Sequence, residues 1–148
     1  MHPARKTGAI RTGIKIAVLH HIMRNKKILI IDEAGFSRIC SAILEFEGYG
    51  IEAMSDSDGF HRRLDNDEYG LIITSYPYGT FLFEEIKRRN ISTIILSDHI
   101  NGELINILEG FNNSYCMIKP LDYQKFRSLV KQVMSGDLSN IHGGYNIV

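Results

Sequence analysis

Four short and almost wholly apolar runs constrain the fold of this chain more than any other feature. Longer amphipathic stretches separate these runs, which lie at 28–31, 71–74, 93–96 and 115–118. Such runs are typical of strands that are covered on both sides, because neither face of the strand meets water. The alternation therefore predicts a parallel sheet with helices packed on both faces.

The stretches between the runs have helical spacing, and a weaker, more polar strand is predicted at 51–54, at an edge of the sheet. The spacing predicts helices at about 36–47, 57–64, 81–89 and 101–109, and a last helix that contains residues 126–134. A strand followed by a helix, repeated five times with right-handed crossovers, favours one α/β arrangement. It is a flavodoxin-like, doubly wound, five-stranded parallel sheet with strand order 2-1-3-4-5.

Length and charge divide the chain into one domain and two flanking segments. The 148 residues suit a single core. Residues 1–27 hold seven Lys and Arg and no acidic residue, whereas the other ten Lys and Arg are set against all 17 Asp and Glu. We predict a loosely ordered basic extension at 1–25, a domain at 26–136 and a C-terminal tail at 137–148. A basic arm that touches an acidic partner or nucleic acid is an alternative for the extension, as is an extra strand near residues 14–18.

The composition disfavours several classes of function. The acidic balance of the predicted domain argues against nonspecific binding of nucleic acid. Cys40 and Cys116 lack the paired spacing of a zinc site or a redox motif, which fits a reducing compartment. No apolar run reaches the length of a membrane span. We therefore expect a cytoplasmic protein without a membrane segment.

Polar side chains stand at the ends of four predicted strands. Asp32 and Glu33 follow the first strand, Ser75 ends the third, Ser97 ends the fourth, and Lys119 follows the fifth. In a flavodoxin-like sheet these ends meet near the point where the strand order reverses. Two carboxylates can hold magnesium, a lysine can neutralise a phosphoryl oxygen, and a hydroxyl can donate a hydrogen bond to another. One shallow polar site is predicted there.

These segments resemble the signature of the receiver domain of two-component response regulators. The resemblance covers residues 26–135, and four segments carry it: Ile-Leu-Ile-Ile-Asp-Glu at 28–33, Leu-Ile-Ile-Thr-Ser at 71–75, Ile-Ile-Leu-Ser at 94–97 and Ile-Lys-Pro at 118–120. Four positions in order, each at a strand end, make a more specific signal than any one of them alone.

The resemblance implies a role for each position. Asp32 and Glu33 would be the metal-binding acids, Ser97 the switch hydroxyl, and Lys119 the lysine that contacts the phosphoryl group. Ser75 would occupy the position of the phosphate-accepting aspartate.

Three further expectations follow at the end of the fifth strand. The resemblance implies that Pro120 follows a cis peptide bond, and that Tyr115 or Cys116 stands near the place of a switch aromatic. We also expect Lys119 to form an ion pair with one of the two neighbouring acids and so to hold the emptied pocket together.

The departures from the receiver pattern bear on function. A serine hydroxyl without a neighbouring base is a poor substitute for a carboxylate nucleophile. Ser75 would also remove one oxygen ligand and one negative charge from the metal site, so we expect weak magnesium binding at most and no other cofactor. The interval of 22 residues from Ser75 to Ser97 is shorter than is usual in the family, so the loop after the third strand is reduced.

The sequence thus predicts a degenerate receiver in a two-component or phosphorelay system, not an enzyme, which acts by contact with a protein. The expected partner is a histidine kinase or an output protein, bound through helix four, strand five and helix five, with a homodimer left open. A decoy that docks a kinase without accepting phosphate is a second interpretation. A small flavodoxin-like nucleotide- or cofactor-binding protein is a third, although no glycine-rich loop follows the first strand.

Overall fold

The computed structural model of the chain describes residues 26–55, 59–65, 68–136 and 144–148. The predicted basic extension at 1–25 lies outside the described residues, as does the first part of the predicted tail. Within the described residues, no helix combines the length and the apolar character that crossing a membrane requires.

Six parallel strands form one sheet in the order β2-β1-β3-β4-β5-β6. The predicted order 2-1-3-4-5 is confirmed, and the predicted number of five strands is wrong by one. The strands are β1 (Lys27–Ile31), β2 (Ile51–Met54), β3 (Tyr69–Ser75), β4 (Thr93–Ser97), β5 (Asn113–Ile118) and β6 (Gly144–Ile147).

Among the described residues, five helices and one 3-10 turn lie between the strands. Asn101 caps α4 by accepting a hydrogen bond from the backbone N–H of Leu104 at 2.8 Å, and Asp122 caps α5 in the same way. The helices are α1 (Ala34–Phe46), α2 (Phe60–Asp65), α3 (Phe83–Arg89), α4 (Gly102–Leu108) and α5 (Tyr123–Met134), and the 3-10 turn is Thr80–Leu82. Each predicted helix is therefore present, with bounds that differ by a few residues.

The core consists of two apolar layers, one on each face of the sheet. Alternate residues of the central strands contribute to opposite layers, as the two-residue period of a strand requires. Ile28 and Ile30 pack with α1 and α5, whereas Leu29 and Ile31 pack with α2, α3 and α4. The central strands are buried on both sides, which explains why their sequences are almost wholly apolar.

The sixth strand lies in the segment that the sequence predicts to be a tail, of which the structure describes residues 144–148. Gly144–Ile147 pairs in parallel with β5, with Ser114 opposite Tyr145, and Tyr145 packs against the apolar layer on the α4 side of the sheet. The strand is short, partly exposed and of mixed polarity, and it begins at the second of two consecutive glycines, so its sequence resembles a loop. As a result β6, and not β5, forms this edge of the sheet.

Candidate functional site

Asp32 and Ser75 meet at the carboxyl ends of β1 and β3. The register pairs Ile31 with Thr74, so the next residue of each strand projects toward the same place. The hydroxyl of Ser75 donates a hydrogen bond to Oδ2 of Asp32. Both side chains are buried, with 2% of Asp32 and 4% of Ser75 exposed. The two positions that the sequence placed at the centre of the site are therefore in direct contact.

Further hydrogen bonds fix the backbone and side chain of Asp32. Its Oδ1 accepts a hydrogen bond from the backbone N–H of Glu33 at 2.8 Å. The hydroxyl of Ser37, in the first turn of α1, donates to the carbonyl of Asp32 at 3.1 Å. Each carboxylate oxygen of Asp32 thus already has a donor within the protein. Glu33 is exposed and precedes α1 without a side-chain capping bond.

Lys119 does not form the ion pair that the sequence led us to expect. Its Nζ lies 4.7 Å from the centre of the Phe36 ring, in a cation–π contact, and among the described residues no ion pair joins it to Asp32 or Glu33. Both oxygens of Asp32 already accept a hydrogen bond from a protein donor, which lowers the gain from an ion pair, and the Phe36 ring offers the ammonium group an aromatic face. The peptide bond that leads from Lys119 to Pro120 is cis.

Ser97 is buried at the end of β4 and is bonded within its own loop. Its hydroxyl donates to the carbonyl of His99 at 2.7 Å, and its carbonyl accepts from the backbone N–H of Lys119 at 2.8 Å. The first bond keeps the hydroxyl on the turn between β4 and α4. The site therefore divides into an Asp32–Ser75 pair and a separately bonded Ser97.

The reduced loop after β3 folds tightly against the end of its strand. The backbone N–H of Gly79 donates to the carbonyl of Ser75 at 2.7 Å, and the Tyr76–Pro77 bond is cis. A Cβ on Gly79 would lie 2.0 Å from Oγ1 of Thr74, so only glycine fits this close approach. The loop closes over the strand end and leaves Ser75 buried.

Cys40 of α1 lies within the electrostatic influence of the site. Burial raises the pKa of its thiol to about 12; the charge of Asp32 acts in the same direction, and that of Lys119 opposes it. A thiol in such surroundings stays protonated at neutral pH and is a poor nucleophile. Its role is therefore that of a small apolar residue beneath the site.

Tyr115 and Cys116 lie on opposite faces of β5. Tyr115 packs with the layer of α1 and α5, whereas Cys116 is fully buried in the layer of α2, α3 and α4. Burial raises the pKa of the Cys116 thiol as well. Of the two candidates for the switch position, only Cys116 shares the face of α4.

The residues present fit a magnesium ion poorly. Magnesium favours six oxygen ligands in near-octahedral geometry, usually one or two carboxylates with several waters. Both oxygens of Asp32 accept hydrogen bonds from protein donors, and Ser75 supplies one of these donors instead of a carboxylate. Among the described residues, no group of three or more acidic, histidine or cysteine side chains could hold a metal ion.

Comparison with solved structures identifies the fold. A two-component response regulator from Clostridium difficile superposes with a TM-score of 0.66 over 78% of this chain and 99% of its own, at 20% identity. A response regulator receiver domain protein from Methanospirillum hungatei superposes with a TM-score of 0.63 over 75% and 94%, at 22% identity. The fold is that of a receiver domain. No protein-family model matches the chain, and no curated protein matches it significantly.

A third receiver-fold protein was solved with a ligand. The response regulator TrrA from Thermotoga maritima, in complex with magnesium and beryllofluoride, superposes with a TM-score of 0.59 over 73% of this chain and 98% of its own, at 18% identity. At these identities the likeness establishes the receiver fold.

Sequence reasoning overlooked two contributors to the site. The sequence pattern assigns no role at the site to Phe36, although its ring lies against Lys119. It assigns none to Gly79 either, although the close approach of Thr74 requires a glycine there. The run Tyr-Pro-Tyr-Gly-Thr signals a turn at Gly79, but no pattern in the sequence signals the contact between Phe36 and Lys119.

Proposed function

We propose that this chain is a receiver-like signalling module that acts by contact with a protein partner and is not switched by aspartyl phosphorylation. One observation carries the proposal. At the end of β3, where the receiver signature has its phosphate-accepting aspartate, Ser75 donates a hydrogen bond to Asp32. Position 75 therefore carries a hydroxyl that donates to Asp32, where the receiver signature has a second carboxylate.

The chemistry of the pair supports this proposal. Transfer of a phosphoryl group to residue 75 would require the serine oxygen to attack while it loses its proton. Asp32 is the group that accepts the hydrogen bond of the hydroxyl, and a carboxylate is a weak base for the proton of an alcohol. Ser75 is also almost wholly buried beneath the loop that follows β3. The pair is better suited to holding β1 and β3 together than to catalysis.

The position of β6 changes the proposed docking surface. The sequence pointed to helix four, strand five and helix five, but β6 pairs along the free edge of β5. Four large apolar side chains are nevertheless exposed on this side of the molecule, at 40–49% each: Ile118, Tyr123, Ile147 and Val148. A groove of about 770 Å³ lies between α5 and β6. We place the partner on this surface, formed by β6, α5 and the end of β5.

Neither other interpretation gains support from the structure. A nucleotide-binding protein would use the start of α1 as a phosphate site, but the exposed acid Glu33 precedes that helix. A kinase decoy is a special case of the proposed binding module, in which the partner is a histidine kinase.

Titration with magnesium and beryllofluoride tests the proposal, because this complex imitates a phosphoryl group on a receiver's aspartate. Amide spectra of the full chain are recorded with and without the reagents, with a receiver of known beryllofluoride binding as the positive control. We expect the signals of residues 32, 75 and 97 to stay in place. Saturable shifts of these signals would overturn the proposal.

A further inference from the structure

The outer face of α1 carries an apolar stripe that nothing in the described structure covers. Phe46 is 91% exposed and Ile39 is 54% exposed, the largest and third-largest exposures among the large apolar side chains of the described residues. Ala42 and Gly35 on the same face are exposed as well. A phenyl ring so fully in water is costly on a helix whose opposite face already supplies the core. The stripe is therefore a candidate surface for contact with a partner.

The spacing of the stripe is self-complementary. Its positions 35, 39, 42 and 46 follow the alternating steps of four and three residues that mark a helix-pairing seam. Around a two-fold axis perpendicular to the middle of the helix, Phe46 of one copy faces Gly35 of the other, and Ile39 faces Ala42. Each large side chain meets a small one. A second copy of the same helix, packed antiparallel, fits this surface without any change.

Gly35 adds an observation of its own. A glycine weakens a helix relative to alanine unless the backbone needs it, and Gly35 is not among the residues with a positive φ. A Cβ at this position would meet no atom within 4 Å. The fold of a single chain therefore does not require glycine here, but a phenyl ring arriving from a second copy would occupy that open space.

Charges beside the stripe are complementary in the same arrangement. Arg38 and Glu45 lie on one flank of α1, seven residues apart, and both line the open cavity of about 550 Å³ between α1 and β2. Neither forms an ion pair with another described residue. In an antiparallel helix pair, the same flank of each helix meets its symmetry mate, so Arg38 of each copy would face Glu45 of the other.

From the match of shape and charge we infer that α1 pairs antiparallel with α1 of a second copy of this chain. The contact is a single helix pair and hence small, so the dimer is weak and depends on concentration. The inference goes beyond the proposed function and does not depend on it, because the pairing uses the exposed stripe of α1 and requires neither chemistry at Ser75 nor a contact with β6.

Sedimentation velocity of the full chain over a wide concentration series tests the inference. We expect a reversible monomer–dimer equilibrium in the wild type. Phe46→Glu should weaken dimerisation roughly tenfold or more, because it replaces the one aromatic anchor of the pairing with a charge. The matched control is Phe81→Glu, which changes an exposed phenylalanine of the 3-10 turn and should leave the equilibrium unchanged.

Two further variants separate dimerisation from folding. Gly35→Leu improves helix propensity while it fills the space for the partner's ring, so we expect a higher melting temperature together with weaker dimerisation. Arg38→Glu should weaken the dimer, and the double exchange Arg38→Glu with Glu45→Arg should restore it, because the charges face each other again. A wild-type chain that sediments as a monomer at every concentration would overturn the inference. That holds even if another segment, such as residues 1–25, covers the stripe. A Phe46→Glu variant that dimerises like the wild type, or a double exchange without rescue, would also contradict it.

Discussion

The hydroxyl of Ser75 donates a hydrogen bond to the carboxylate of Asp32, and it does so in the buried boundary between β1 and β3. A buried carboxylate is costly unless donors surround it. Ser75 and the backbone N–H of Glu33 supply those donors, one to each oxygen. Donors of the protein itself therefore satisfy both oxygens of Asp32, the residue that the receiver resemblance assigns to metal binding.

Removal of that donor should destabilise the fold. Ser75→Ala leaves one oxygen of Asp32 buried without a partner, and we expect a loss of about 1–3 kcal/mol in the free energy of unfolding, the usual cost of an unsatisfied buried polar group. Denaturant unfolding measures this loss. Ser114→Ala is the matched control, because the hydroxyl of Ser114 is buried but has no partner among the described residues. We expect it to be neutral or slightly stabilising, and equal effects of the two substitutions would contradict the account.

The contact between Lys119 and Phe36 should appear as an energetic coupling. A double-mutant cycle of Lys119→Ala and Phe36→Leu is expected to give about 0.5–1 kcal/mol, the range for a cation–π contact that is partly exposed. The same cycle with Glu33→Gln in place of Phe36→Leu should be additive within about 0.5 kcal/mol. An energetic coupling of Lys119 to Glu33 and not to Phe36 would contradict the cation–π contact and favour the ion pair that the sequence predicts.

The central strands and the location of the site could be predicted from the sequence for a physical reason. A strand covered on both faces must be apolar throughout, so the run at 28–31 allows few other structures. The position of Asp32 at the strand end then follows from topology alone. The same reasoning placed Ser75 beside it, and the structure joins the two by a hydrogen bond.

Edge elements and side-chain directions could not be predicted in this way. An edge strand such as β6 is half in water, so its sequence need not be apolar, and Gly144–Ile147 resembles a loop. Lys119 has a long side chain and two kinds of partner within reach. The choice between a carboxylate and the Phe36 ring depends on which hydrogen bonds the carboxylate already accepts, and the sequence pattern does not show this.

The free energy of unfolding should depend on pH through Glu52 of β2. The hydroxyl of Tyr69 and then the ammonium of Lys27 lower the pKa of Glu52 from its usual 4.5. A lowered pKa means that the unfolded chain binds the proton more tightly. The contribution of Glu52 is therefore fully present above pH 4.5 and is lost as the pH falls through the lowered value.

A comparison of variants measures this dependence. Glu52→Gln should flatten the acid limb of the profile of unfolding free energy against pH. Glu84→Gln is the control, since it makes the same substitution in a side chain that is 87% exposed, and Glu52→Gln should flatten the limb more than this control does. An unchanged acid limb in Glu52→Gln would contradict the assignment.

The sixth strand should contribute to stability through one side chain. Tyr145→Ala removes a ring that packs against the apolar layer on the α4 side, and we expect a cost of about 1–3 kcal/mol. Ile147→Ala lies in the same strand but changes a side chain that is 49% exposed, so its cost should stay within about 0.5 kcal/mol. Thermal or denaturant unfolding of both variants decides whether β6 belongs to the folded domain. If both substitutions left the free energy of unfolding unchanged, the result would contradict the place of β6 in the sheet.

The central claim is that no phosphoryl group is accepted at the end of β3, and intact-mass spectrometry after incubation with acetyl phosphate and magnesium tests it most directly. A receiver of known activity, treated in parallel, shows that the reagents are competent. We predict that this chain keeps its unmodified mass throughout. A gain of one phosphoryl group that disappears in Ser75→Ala would contradict the account.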